Sequence, residues 1–181
     1  AALGFIFHPS SPRFLSPERA RKLRQRLPRE ACCIGVFVDR APGEVDRVAA
    51  FVGLDGVQLH GFEPETAIAA AACPVLKVVR SEAEALACPA PRVLLDAYLP
   101  GVLGGTGLRA DWNLAARIAA QRPLVLAGGI GPANVLEAME AVRPVALDVN
   151  SAVEASPGVK DRGCLRELFA VVERASLQPS S

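Results

Sequence analysis

An α/β fold of parallel strands, each followed by a helix, is what this 181-residue sequence predicts. Three observations predict it. Short apolar runs recur about every 24 residues, the length of one strand–helix unit. Most of these runs are near-continuously apolar rather than alternating, as in strands buried on both faces. Between them lie amphipathic helical patterns, which imply parallel strand order.

The elements follow in turn. Residues 2–7 read as the first strand. Ser16-Pro17-Glu18 opens a helix, with Ser16 as N-cap and Pro17 at the first helical position. Leu23 and Leu27 give that helix an apolar side, and Arg21, Lys22, Arg24, Arg26 and Arg29 a wet one. Further strands are predicted over 32–38, 56–60, 74–80, 92–97, 123–128 and 146–151. Helices are predicted over 42–52, 64–72, 111–121, 132–142 and 161–175, with a shorter one over 81–87.

Such units make either an open doubly wound sheet or a closed barrel. The open sheet calls for a glycine-rich fingerprint after its first strand, and Phe7-His8-Pro9-Ser10 is not one. The expected fold is therefore a (β/α)8 TIM barrel. Seven parallel strands are expected in this chain, with the first β/α unit absent, because the sequence begins almost directly in a strand. Residues 1–175 are expected to form a single barrel domain and 176–181 a polar C-terminal tail.

Composition narrows the function classes. Half the chain is apolar and the net charge is +1, with acids and bases mixed along its length. That pattern argues against a nucleic-acid partner. No apolar run reaches membrane-spanning length. Five cysteines, odd in number and without a C-x-x-C pair, suit a reduced, cytoplasmic protein.

In a parallel barrel the chemistry sits at the C-terminal ends of the strands. Polar residues gather there: Arg13 after the first strand, His60 after the third, Asp96 after the fifth and Asp148 in the seventh. Gly128-Gly129, before a helix, and Asn150-Ser151-Ala152 read as phosphate-binding loops. Residues 98–112, with Gly101, Gly104, Gly105 and Gly107, read as a mobile lid.

Six segments, in order over nearly the whole chain, resemble phosphoribosylanthranilate isomerase. They are Leu3-Gly4-Phe5-Ile6-Phe7 with Ser11-Pro12-Arg13, Gly35-Val36-Phe37-Val38, and Val57-Gln58-Leu59-His60-Gly61. The others are Leu94-Leu95-Asp96-Ala97 with Gly104-Gly105-Thr106-Gly107, Leu126-Ala127-Gly128-Gly129 with Pro132-Asn134-Val135, and Asp148-Val149-Asn150-Ser151-Ala152-Val153-Glu154 with Pro157-Gly158-Lys160-Asp161.

The resemblance implies an Amadori rearrangement of N-(5-phosphoribosyl)anthranilate in tryptophan biosynthesis, with no metal and no organic cofactor. By that resemblance Asp96 is the general acid and Arg13 clamps the anthranilate carboxylate. Asp148 lies near the ribose hydroxyls, His60 lies at the mouth, and Gly128, Gly129 and Ser151 hold the phosphate. The partner is then a small phosphorylated substrate, and a homodimer with strand edges paired between subunits is one expected state. The family's base is a cysteine in a Lys-x-Cys-Gly segment, and no such segment occurs here. Impaired activity of this chain is the expectation. Two alternatives stand beside it: a truncated or degenerate barrel that binds a phosphorylated ligand without turnover, and another phosphate-binding barrel sugar isomerase.

Overall fold

A computed structural model describes residues 1–96 and 111–177. The chain divides into two compact units, Ala1–Val79 with Ala87–Val93, and Arg80–Leu86 with the residues from Leu94 onward. Each is described by itself.

The first unit alternates strand and helix throughout. In order these are β1 (Ala2–Ile6), α1 (Pro17–Arg24), β2 (Cys32–Phe37), α2 (Pro42–Val52), β3 (Gly56–Leu59), α3 (Glu65–Ala69) and β4 (Val75–Val79). The strands pair parallel in chain order, with Ala2 opposite Cys32, Ile34 opposite Gly56 and Val57 opposite Val75. Side-chain alternation assigns the faces. Cys33, Gly35 and Phe37 of β2 are buried, while Cys32, Ile34 and Val36 are half-buried. The buried set joins Phe5, Phe7, Val57, Leu59 and Val75 with Ala20 of α1, Val45, Ala49 and Val52 of α2, and Ile68 of α3. Phe7 and Phe37 stack at its centre, 5.1 Å between ring centroids.

Local chemistry starts and stops these helices. The Ser16 hydroxyl accepts from the Arg19 amide, as expected of an N-cap. Gly53 ends α2 in the left-handed region, at φ 78°, where a Cβ would be strained. Asp55 then accepts from the Cys33 amide at 2.7 Å, and Arg24 reaches the Gly53 carbonyl at 3.1 Å.

The boundary between the units falls within α4 (Glu82–Ala87) and β5 (Arg92–Asp96). The second unit continues with α5 (Trp112–Ala119), β6 (Leu124–Ala127), α6 (Val135–Val142) and β7 (Ala146–Leu147). A 3-10 turn (Ser151–Val153), an antiparallel hairpin of β8 (Glu154–Ser156) and β9 (Val159–Lys160), and α7 (Arg162–Leu177) follow. β7 runs parallel to β6, with Val125 opposite Ala146. Leu124, Leu126, Ala115, Ile118, Val135 and Ala138 are all fully buried.

All seven predicted strands are present in this α/β arrangement. The seventh is much shorter than the predicted 146–151. The Asp148 amide makes the last ladder bond, to the Leu126 carbonyl at 2.8 Å, and the chain then turns through Asn150 into the 3-10 turn. The helix predicted from Pro132 starts at Val135, because residues 131–134 are spent on a capping turn. The hairpin was not expected; Gly158, at φ 84°, supplies its turn. α7 runs to Leu177, two residues beyond the predicted helix end at 175. Residues 97–110, which include most of the lid predicted over 98–112, and residues 178–181 lie outside the described part.

Gly35 sits where the first unit's core leaves little space. A Cβ there would lie 2.5 Å from Leu54 and 2.8 Å from Phe37, both inside contact distance. Gly35→Ala is expected to destabilise the protein by about 1–3 kcal/mol, the usual cost of overfilling a packed core. Urea unfolding checks this, and an unchanged midpoint would mean that the core has room the packing denies.

Candidate active site

Parallel connection brings the strand ends of each unit to one side, and the predicted site residues stand there. Arg13 and His60 belong to the first unit, and Asp96, Gly128, Gly129, Asp148 and Ser151 to the second.

In the first unit the segment after β1 is tightly folded. The Ser11 amide donates to the His8 carbonyl at 3.0 Å, and the Ser11 hydroxyl accepts from the Arg13 amide at 3.1 Å. Phe14 then bridges to Ile6, and the Leu15 amide donates to the Ile6 carbonyl at 2.9 Å. Arg13, half-buried, is thus carried on an ordered turn rather than a loose loop. His60 directly follows β3, is half-buried, and donates its amide to the Phe37 carbonyl at 2.9 Å.

In the second unit Asp96 closes β5 and is half-buried. Gly128 and Gly129 follow β6 at φ 90° and 66°, where only glycine is unstrained. Asn134 shapes that loop. Its side-chain oxygen accepts from the Gly131 amide at 2.9 Å, and its nitrogen donates to the Gly129 carbonyl at 3.0 Å. The loop meets the one after β7 directly, since a Cβ on Gly131 would lie 2.7 Å from the Ala152 Cβ. The two predicted phosphate loops are therefore brought together, with Gly129, Asn150, Ser151 and Ala152 exposed.

Lys160 fixes the second of these loops. Its ammonium donates to the Asn150 carbonyl at 2.8 Å, to Asn150 Oδ1 at 2.7 Å and to Glu154 Oε1 at 3.1 Å. Sequence reasoning quoted Lys160 and Asn134 only as parts of motifs and gave neither a role. It passed over Lys77 and Glu63, a buried ion pair behind His60. A lysine in the middle of an apolar strand was the available signal.

Cys32, Cys33, Cys73 and Cys88 lie at or before strand starts, at the opposite end of their strands from these residues. Cys33 lies near the start of β2, on its helix-covered face, and burial pushes its thiol above the usual value. Burial does the same to Cys73, which precedes β4. Cys164 sits in the first turn of α7, its thiol raised by burial and then by the neighbouring Asp161 carboxylate. Cys88 packs beside the first unit's core.

The family model for N-(5'-phosphoribosyl)anthranilate (PRA) isomerase matches residues 1–171. The chain belongs to this family. The PRA isomerase of Syntrophus aciditrophicus is 43% identical over an alignment of 181 positions that covers 96% of this chain and 78% of that protein. The crystal structure of phosphoribosyl anthranilate isomerase from Thermotoga maritima superposes with a TM-score of 0.86 at 38% identity, covering 96% of this chain and 88% of that one. A phosphoribosyl anthranilate isomerase solved with reduced 1-(o-carboxyphenylamino)-1-deoxyribulose 5-phosphate gives 0.82 at 36% identity, covering 96% and 87%.

If the contact between Gly131 and Ala152 holds the two loops in register, Gly131→Ala pushes them apart. The expected result is about a tenfold loss of affinity for inorganic phosphate, equal to about 1.4 kcal/mol. Calorimetric titration reads it, and unchanged affinity would show that the anion does not bind between these loops.

Proposed function

We propose that this PRA isomerase family chain carries the isomerase function itself: conversion of N-(5'-phosphoribosyl)anthranilate to 1-(2-carboxyphenylamino)-1-deoxyribulose 5-phosphate, a step of tryptophan biosynthesis. Family membership over residues 1–171 carries this reading. The motif residues support it by standing at the C-terminal strand ends of their units, where a parallel α/β fold places its chemistry.

The reaction divides the work. Asp96 donates a proton to the ribose ring oxygen, and the ring opens to a protonated imine. A base then takes the proton from C2, leaving an enolamine that tautomerises to the ketone. Arg13 offers a planar fork to the anthranilate carboxylate. Gly128, Gly129 and Ser151 receive the phosphate through backbone N–H groups, and Asp148 serves the ribose hydroxyls. His60 contributes to substrate binding as well. The isomerase solved with a reduced phosphorylated product supports a small phosphorylated ligand of this kind. We also assign the protein to the cytoplasm, where reduced cysteines persist.

The base is the part these residues do not supply by motif. The family resemblance gives that role to the cysteine of Lys-x-Cys-Gly, which does not occur in the chain. A homodimer remains part of the proposal. It is favoured by β1, whose Leu3 is 46% exposed and whose one strand neighbour among the described residues is β2.

Two measurements test this. In a chain extended by one strand–helix unit bearing Lys-x-Cys-Gly, Asp96→Asn is expected to lower turnover by about 10²–10⁴-fold. Affinity for the reduced product should change far less, and near-normal turnover would remove Asp96 from the acid's place. The 181 residues by themselves are expected to turn over slower than the extended chain by about 10²–10⁴-fold, the worth of a positioned base. Equal rates would mean that another side chain does the base's work.

A further inference from the structure

β4 is Val-Leu-Lys-Val-Val, and its one polar residue, Lys77, is among the most buried in the chain at 4% exposure. Its ammonium lies 3.0 Å from Glu63 Oε2, with both side chains nearly sealed, at 5% and 6% exposure. Taking two charges out of water is costly, and an aliphatic residue would suit this strand better on burial alone. What the pair touches accounts for its presence. Lys77 donates to the Gly61 carbonyl at 2.6 Å and more weakly to the Leu59 carbonyl at 3.4 Å. Glu63 Oε1 accepts from the Gly61 amide at 3.1 Å and the Asp39 amide at 3.3 Å.

We propose that Lys77 and Glu63 are a positioning pair that sets the backbone of His60, and through it the imidazole's place in substrate binding. The proposal rests on the isomerase reading of His60 given above. The Leu59 carbonyl belongs to the peptide plane before His60, and the Gly61 amide to the plane after it. Each plane is rigid, so the backbone at His60 turns only about φ and ψ. With the first plane held by Lys77 and the second by Glu63, neither angle is free. The His60 amide, bonded to Phe37, adds a third tether. The same carboxylate reaches Asp39, which sits in the left-handed region at φ 49° and whose Oδ1 accepts from the Phe62 amide at 2.7 Å. A Cβ on Gly61 would lie 2.6 Å from the Asp39 nitrogen, so the loops after β2 and β3 are locked against each other. The direction of the His60 side chain follows from this frame, because the backbone sets where Cβ points.

The test uses the full chain and reduced 1-(o-carboxyphenylamino)-1-deoxyribulose 5-phosphate as probe, below the unfolding range of every variant. Lys77→Met and Glu63→Gln alone should lower Tm, since each strands a buried partner. The double variant Lys77→Met/Glu63→Met should regain most of that Tm while its Kd stays about tenfold weaker than wild type. In a His60→Ala background the same double change should alter Kd by less than about twofold, because the residue it acts through is gone. Without ligand, hydrogen exchange at the Gly61 amide should rise about tenfold in Glu63→Gln relative to amides of β2 and β3. Recovery of Tm and Kd together would reduce the pair to a stability element. A full loss in the His60→Ala background would show that it does not act through His60. If the double variant does not fold, the Glu63→Gln cycle with His60→Ala decides by the same criteria. Failure of the wild-type chain to bind the probe would overturn the isomerase reading instead, and unchanged Gly61 exchange would still refute the clamp.

Discussion

Everything functional in this chain follows from one constraint: parallel strands cannot be joined by a tight turn. Each must be returned by a long crossover, here a helix, so within each unit every strand of the parallel sheet, the β8–β9 hairpin apart, runs the same way. All C-terminal ends then lie on one side and all N-terminal starts on the other. The constraint also assigns the faces. In the first unit Phe5, Phe7, Cys33 and Phe37 point to the covering helices, and the stacked rings of Phe7 and Phe37 fill the layer between. Gly35 has no side chain because that layer has no room for one. Burial on the helix side fixes the strand register, and register fixes which residue ends each strand. His60 stands after β3 for that reason, and Gly128 after β6.

Much of this was legible beforehand. Near-continuous apolar runs announced the strands, and Ser16 and Asp111 announced helix starts that the structure bears out, each accepting an amide hydrogen bond from the first turn. The family motifs pointed to the strand-end residues, which is where those residues stand. The rest was hidden because it depends on contacts between segments far apart in sequence. Residues 146–151 look like a strand, yet the ladder to β6 ends once Asp148 has bonded Leu126, and nothing local marks that end. Glu154 to Lys160 reads as a loop, but closes as a hairpin because Lys160 bonds Glu154 and Asn150. Lys77 interrupts an apolar run, but nothing local names its partner. Its burial is set by Glu63, and the two are partners only once β3 and β4 lie side by side.

The two lysines stabilise loops by a shared device in different surroundings. Each uses its donors on backbone carbonyls and one carboxylate, so it fixes a chain segment rather than merely pairing charge. Lys160 is 41% exposed and its partner Glu154 only 4%, so water screens one side of that contact. The gain there is modest, on the scale of about 0–1 kcal/mol for surface pairs. Lys77 and Glu63 are both sealed, and removing either alone leaves a buried charge at a cost of about 3–5 kcal/mol. The second unit can therefore tolerate adjustment of its Asn150 loop, while the first holds His60 in one place.

The same strand polarity decides what the cysteines can do. Cys32 and Cys33 open β2, whose six residues run from them to Phe37. At about 3.3 Å of rise per residue this is a separation of roughly 13–17 Å from the C-terminal end of the strand. A general base must come within about 3 Å of the proton it takes. No rotamer change spans that gap, and moving the strand would unstack Phe7 from Phe37. Charge adds to distance, because burial raises the Cys33 thiol and a base must be a thiolate to act. Cys73 meets the same two objections from the turn before β4. Cys164 lies in a helix beside Asp161, whose carboxylate disfavours a second negative charge. Distance, desolvation and like charge thus each act independently against the thiols of this chain. A cysteine suited to the chemistry would need the opposite setting: the C-terminal end of a strand, partly exposed, with a cation nearby.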